Sequence, residues 1–201
     1  MTFLSANVAE RTHTEHAAPQ TRVFVGQKIA PEIASKLAEC AAGLEKLSVR
    51  PIAPADIHVT LVPPWNETSI ADAVAKLGRV AGSFDAFWLI FRHVGYGPEP
   101  RRPRLLWVDC AVDDEIAAVR TALLDAFGQL DDRPFQPHVT LARIRSNGLV
   151  IARKVPIDQP LSLTQHVESI ELFQSPPPGG RGYQVLASLR LGETPGSAET
   201  I

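Results

Sequence analysis

What this 201-residue chain lacks narrows its class before any motif is read. It has two cysteines, Cys40 and Cys110, with neither metal-ligand spacing nor a disulfide framework between them. Both sit in apolar periodic stretches, where a cysteine acts as a small buried hydrophobe. No large positive excess exists: 20 Lys and Arg face 22 Asp and Glu, a formal charge of -2. That argues against a long, sequence-independent nucleic-acid groove, yet leaves room for a small pocket with one or two arginines. No uninterrupted apolar stretch is long enough to span a bilayer, no secretory signal stands out, and a reducing cytoplasm is the expected location. Hydrophobic residues at 45% and charged residues at 21% are those of a soluble globular protein. The length suits one domain, or two small lobes sharing a core. Residues 1–20 and 193–201 are polar and expected to be disordered tails around a single domain over 21–192.

What is present is a four-residue phrase used twice, His58-Val59-Thr60-Leu61 and His138-Val139-Thr140-Leu141, in a chain with six histidines. In an extended strand the His and Thr of each copy share one face while Val and Leu point to a core. Each copy thus offers an imidazole and a hydroxyl side by side on a stiff platform.

The surrounding pattern is also doubled. A strand over Arg22–Ile29 leads to a helix over Glu32–Leu47, a loop with Arg50-Pro51, and the first phrase, which is expected to stop at Pro63-Pro64. A helix over Asn66–Ala81 and a strand over Phe84–Val94 follow. The second round is a strand over Leu105–Val112, a helix over Glu115–Leu130, a loop with Arg133-Pro134, and the second phrase running to about Ile144. Strands over Val167–Gln174 and Tyr183–Leu191 close the chain, and Arg145–Thr164 is ambiguous. The expected fold is α+β and bilobal. Two lobes of antiparallel sheet, helices outside, are related by an approximate two-fold axis that brings the two phrases face to face across a central groove.

Two imidazoles on opposite sides of one substrate suit general acid–base catalysis of an in-line displacement. One takes a proton from attacking water and the other gives a proton to the leaving oxygen. Histidine fits because a pKa near 6.5 lets both forms be populated near neutrality. The hydroxyls can donate to non-bridging phosphate oxygens. This chemistry requires no nucleophilic Ser or Cys, no metal and no cofactor.

The two motifs resemble the repeated H-x-[ST]-x signature of the two-histidine phosphoesterases. More narrowly, the chain is similar to the RNA 2′,3′-cyclic phosphodiesterases, the LigT-like 2′-5′ RNA ligases. The likeness runs from Arg22-Val23-Phe24-Val25 through Asp56-Ile57-His58 and Phe135-Gln136-Pro137-His138 to Leu172-Phe173-Gln174-Ser175, a Gly-rich loop and Tyr183. It implies opening of a terminal 2′,3′-cyclic phosphate to a 2′-phosphate at an RNA end or nucleotide, with reversible 2′-5′ ligation in some members. By position His58 matches the proton donor and His138 the proton acceptor. Thr60 and Thr140 match the phosphate-binding hydroxyls, and Arg143 an arginine on the substrate phosphate, expected on the same face as His138 and Thr140. The run Val62-Pro63-Pro64-Trp65 departs from the apolar-Phe-Leu-Gly of relatives and alters the groove rim.

Phe24 could stack on a nucleobase if it faces the groove, and Trp65 and Tyr183 are rim candidates whose ordinary role is structural. Arg101, Arg102 and Arg104 form a basic loop that could meet RNA phosphates, although such a run is commonly a solvated loop. His93 and His166 read as structural, and His13-Thr14-Glu15-His16 as a chance metal-like spacing in the expected tail. Two alternatives stand beside the hydrolase reading: a non-catalytic nucleotide- or RNA-binding module, and a phosphodiesterase for another small cyclic or 2′-5′ nucleotide. The expected particle is a monomer with no membrane partner.

Overall fold

The computed structural model describes residues 20–178 and 180–193. The two expected tails, apart from Gln20 and Glu193, and the His13–His16 pair lie outside the described residues. None of the described helices is long and apolar enough to cross a membrane.

Among the described residues, nine antiparallel strands and four α-helices form the fold. The strands are β1 (Thr21–Lys28), β2 (Val49–Pro51), β3 (His58–Glu67), β4 (Phe87–Gly97), β5 (Leu105–Cys110), β6 (His138–Ile144), β7 (Asp158–Val167), β8 (Ser169–Gln174) and β9 (Gln184–Arg190). The helices are α1 (Pro31–Glu39), α2 (Ile70–Ala81), α3 (Asp114–Phe127) and α4 (Gly148–Lys154).

Strand order is β7-β4-β5-β6-β3-β1-β8-β9, with β2 added on β6. The sheet is therefore two four-stranded halves meeting at β3 and β6. They join at one residue pair, Val59 opposite Val139, both fully buried. These are the same position in the two copies of the phrase, so the local two-fold axis passes between them. The repeated strands are thus neighbours in one sheet, rather than facing each other across a cleft as expected. Beyond this pair β6 takes β2 as its partner, Arg50 lying opposite Arg143.

Helix α2 packs on α3 and on β8 and β9, while α3 packs on β3 and β4. Val59, Leu61, Val139 and Leu141 fill the core with Leu77 and Leu123, leaving the His and Thr side chains on the other face. Ser69 caps α2 by accepting from the Asp72 N–H, and the Asp113 carboxylate caps α3 by accepting from the Ile116 N–H at 3.0 Å. Gly128, at φ +60°, ends α3.

The structure corrects several boundaries. The first helix stops at Glu39 rather than Leu47, because the chain turns through Gly43 at φ +83° into a 3₁₀ turn over Leu44–Lys46. The second starts at Ile70 rather than Asn66, since β3 does not stop at Pro63-Pro64 and continues to Glu67. Val25 pairs with Val62 and Val23 with Trp65, so the two prolines oppose Phe24 alone. A bulge absorbs the residues that cannot donate to a ladder. The ambiguous stretch holds α4 and most of the edge strand β7, which runs on to Val167.

Candidate active site

The two His-Thr pairs do converge. His58, Thr60, His138, Thr140 and Arg143 line one cavity of about 140 Å³, closed by Ile52, Asp56, Leu105 and Tyr183.

Both histidines are held alike. His58 Nδ1 lies 2.7 Å from the Asp56 carbonyl oxygen, and His138 Nδ1 lies 2.8 Å from that of Gln136. A carbonyl only accepts, so each Nδ1 carries its proton and donates. The hydrogen-bonding capacity left on each ring is at Nε2, which can hold a lone pair or a proton. Neither threonine hydroxyl has a hydrogen-bond partner among the described residues, which leaves both free to donate into the cavity.

Surroundings distinguish the pair. His58 sits among Phe24, Phe173 and Tyr183, at ring-centroid distances of 4.8, 5.5 and 4.9 Å. His138 packs on Trp107 at 4.7 Å. Burial pushes both imidazoles below their ordinary pKa, and the positive Arg143 pushes both the same way. Their backbone carbonyl partners act in the opposite direction. The Asp56 charge also supports a proton on His58, whereas Gln136, its counterpart beside His138, has no charge to offer.

Arg143 reaches the cavity for a reason strict alternation would miss. It lies five positions beyond His138, an odd offset that by parity alone would put it on the core face. Trp107 pairs with Thr140 and Leu106 with Ala142, so Leu141 is an extra residue on β6. This bulge buries Leu141 and Ala142 in succession and returns Arg143 to the site. Leu61 is the matching extra residue on β3, between Thr60 opposite Gly26 and Val62 opposite Val25. Pro63 is therefore the first copy's counterpart of Arg143.

Phe24, a stacking candidate only if it faced the groove, is covered. It is 2% exposed, stacked on Phe173 at 4.8 Å with a 6° interplanar angle, and forms the wall behind His58. Trp65 packs on Phe127 and lies off the site, donating its indole N–H to Glu67. Tyr183 does line the cavity, its backbone N–H donating to the Asp56 carboxylate at 3.0 Å. Asp56, Gln136 and Trp107 were not picked out from sequence. The signal for the first two was available, since each stands two residues before its histidine.

Paired His-x-Thr strands around one cavity define a two-histidine phosphoesterase. The chain belongs to the 2′-5′ RNA ligase superfamily, whose family model matches residues 50–156. It is 27% identical over 158 residues to the RNA 2′,3′-cyclic phosphodiesterase of Bacillus subtilis (strain 168), covering 75% of this chain and 86% of that one. The enzyme of the same name from Archaeoglobus fulgidus is 25% identical over 137 residues, 65% of this chain and 77% of the relative. Among solved structures, the TT0787 protein of Thermus thermophilus superposes with a TM-score of 0.71 at 25% identity, covering 85% of this chain and 98% of that one. E. coli LigT complexed with 3′-AMP shares the fold, with a TM-score of 0.67 at 23% identity over 87% of this chain and all of LigT.

Proposed function

We propose that this chain hydrolyses a 2′,3′-cyclic phosphate at an RNA end to a 2′-phosphomonoester. The observation that carries the reading is the matched pair of histidines lining one cavity, each with its Nδ1 bonded to a backbone carbonyl and its Nε2 left for proton transfer. His138, neutral, takes the proton of a water that attacks phosphorus. The P–O3′ bond breaks as the new P–O bond forms, and His58, protonated, gives its proton to O3′. Thr60, Thr140 and the guanidinium of Arg143 bear the charge growing on the non-bridging oxygens. After turnover the two histidines have exchanged protonation states, and solvent resets them. The same geometry run with a 5′-hydroxyl in place of water forms a 2′-5′ linkage.

The division of roles is supported by Asp56, whose charge favours a proton on His58. A product-resolved assay across 2′,3′-cyclic nucleotides, RNA ends and 2′-5′ dinucleotides tests the reading. It predicts 2′-phosphate products, turnover that survives EDTA, and losses of about 10²–10⁴-fold in both His58→Ala and His138→Ala. Wild-type turnover in either variant would overturn it. Tight nucleotide binding with no turnover on any of these substrates would instead favour a binding module.

A further inference from the structure

The catalytic cavity, at about 140 Å³, is small beside the roughly 300–1,000 Å³ common for sites that enclose a small ligand. It can take a phosphate and part of a sugar, so most contacts with a larger substrate must lie outside it. A cleft of about 560 Å³ opens directly from it, sharing Thr60, Leu105 and His138. That cleft in turn meets a third, of about 570 Å³, at Arg104.

The third cleft lies between the loop joining β4 to β5 and the start of α4. It carries Arg101, Arg102, Arg104 and Arg145 against a single carboxylate, Glu99. None of these four arginines makes a salt bridge among the described residues, whereas Arg120 and Arg133 are both paired with Asp131. All four are exposed. Four unneutralised arginines in one concavity of a chain with net charge -2 set up a local positive field that the whole-chain balance hides.

The cleft is built into the fold. The Arg104 N–H donates to the Gly97 carbonyl, and the Arg104 carbonyl accepts from the Ile144 N–H at 2.8 Å, one residue beyond Arg143. A Cβ on Gly148 would fall 2.0 Å from the Pro103 carbonyl oxygen, so glycine is what lets α4 close against the arginine loop. Arginine loop and phosphate-binding arginine are thus parts of one hydrogen-bonded unit.

We propose that this arginine cleft is an exosite for the phosphates of the RNA strand whose cyclic end occupies the histidine cavity, making polymeric single-stranded RNA, rather than a free cyclic nucleotide, the favoured substrate. The inference rests on reading the cavity as a site for RNA ends. Binding energy gained on the strand is available to orient the scissile phosphate between the histidines.

Two measurements test it. Turnover is compared on a 2′,3′-cyclic mononucleotide and on an eight-residue RNA with the same 3′ end. The RNA should show at least about ten-fold higher kcat/KM at low salt, an order-of-magnitude expectation for a few added phosphate contacts. Arg101→Gln, Arg102→Gln and Arg145→Gln combined should erase that advantage while leaving mononucleotide turnover intact. Fluorescence anisotropy with a labelled eight-residue RNA ending in a 2′-phosphate needs no turnover, so it judges the exosite even if the hydrolase reading fails. The triple variant should flatten the slope of log affinity against log salt by about 2, from roughly 0.7 per lost phosphate contact. Equal kcat/KM on both substrates, an unchanged salt slope, or an equal loss on mononucleotide and RNA would overturn the exosite.

Discussion

His58 and His138 are fixed through the same bond and differ in the residue that provides it. Asp56 holds His58 with its carbonyl and, with its carboxylate, accepts the N–H of Tyr183, whose ring packs edge-on against the same imidazole. Gln136 offers His138 the carbonyl alone. Since burial and Arg143 push both histidines below their ordinary pKa, the kcat/KM optimum should lie on the acid side of about 6.5. Two substitutions should then move the profile in opposite directions. Arg143→Gln removes a charge that lowers both histidines, so both limbs move alkaline, beyond the loss of its proposed phosphate contact. Asp56→Asn keeps the carbonyl and an amide oxygen for Tyr183 but removes the charge that favours protonated His58. The donor then deprotonates earlier, and the alkaline limb moves acid. Limbs that stay in place in both variants would contradict this electrostatic account. At this scale the His-Thr pairs were legible in sequence, because a repeated phrase needs no structure to be noticed. The face of Arg143 was not legible by alternation, since a one-residue bulge at Leu141 reverses parity and leaves no mark in composition. Whether Phe24 faced the groove openly was not legible for a related reason: an aromatic on the site face of a strand can be covered by its neighbours.

Among elements, the loop that delivers His138 is held by a cluster of charged side chains. Asp131 receives the Arg120 guanidinium from α3 at 2.8 Å and the Arg133 side chain at 2.7 Å, and Arg120 lies over the Phe135 ring at 4.6 Å. The arginines hold the Asp131 carboxyl down to about 2. The pairing therefore stabilises fully above the unfolded carboxylate value of about 4 and is lost as pH falls through about 2. Asp131→Ala should destabilise the fold by about 1–3 kcal/mol near neutrality, because it leaves the half-buried Arg120 without its acceptor. Urea unfolding at pH 7 and again near pH 2 would check this, the difference from wild type shrinking at the lower pH. An equal difference at both values would show that the effect is packing and not charge. Helices α2 and α3 and the strands with strong apolar alternation were readable from sequence. Strand β7 was not, because it is an edge strand whose polar residues face out on both sides over much of its length. The path of β3 through Pro63-Pro64 was hidden by a general rule about proline that bulges evade.

At the scale of the whole molecule, duplication gives the site its symmetry, and local departures from duplication give it direction. Val59 against Val139 marks the axis. Around it lie matched bulges, matched imidazoles and matched hydroxyls, with Arg143 on one side and Pro63 on the other. The repeat was visible in the sequence, but its geometry was not: equivalent strands adjoin within a sheet, and α1 is far shorter than α3. The arginine cleft was equally out of reach, since Arg145 joins Arg101, Arg102 and Arg104 through folding alone. The central claim is that the symmetric pair works asymmetrically, His58 as acid and His138 as base. The most direct measurement gives each alanine variant a nitrophenyl phosphodiester of a nucleotide lacking the neighbouring hydroxyl, whose leaving group departs without a proton. His58→Ala should then turn over this ester at close to the wild-type rate while keeping its loss of about 10²–10⁴-fold on the cyclic phosphate, and His138→Ala should fail on both. Rescue of His138→Ala in place of His58→Ala, or equal failure of the two on the activated ester, would contradict the assignment.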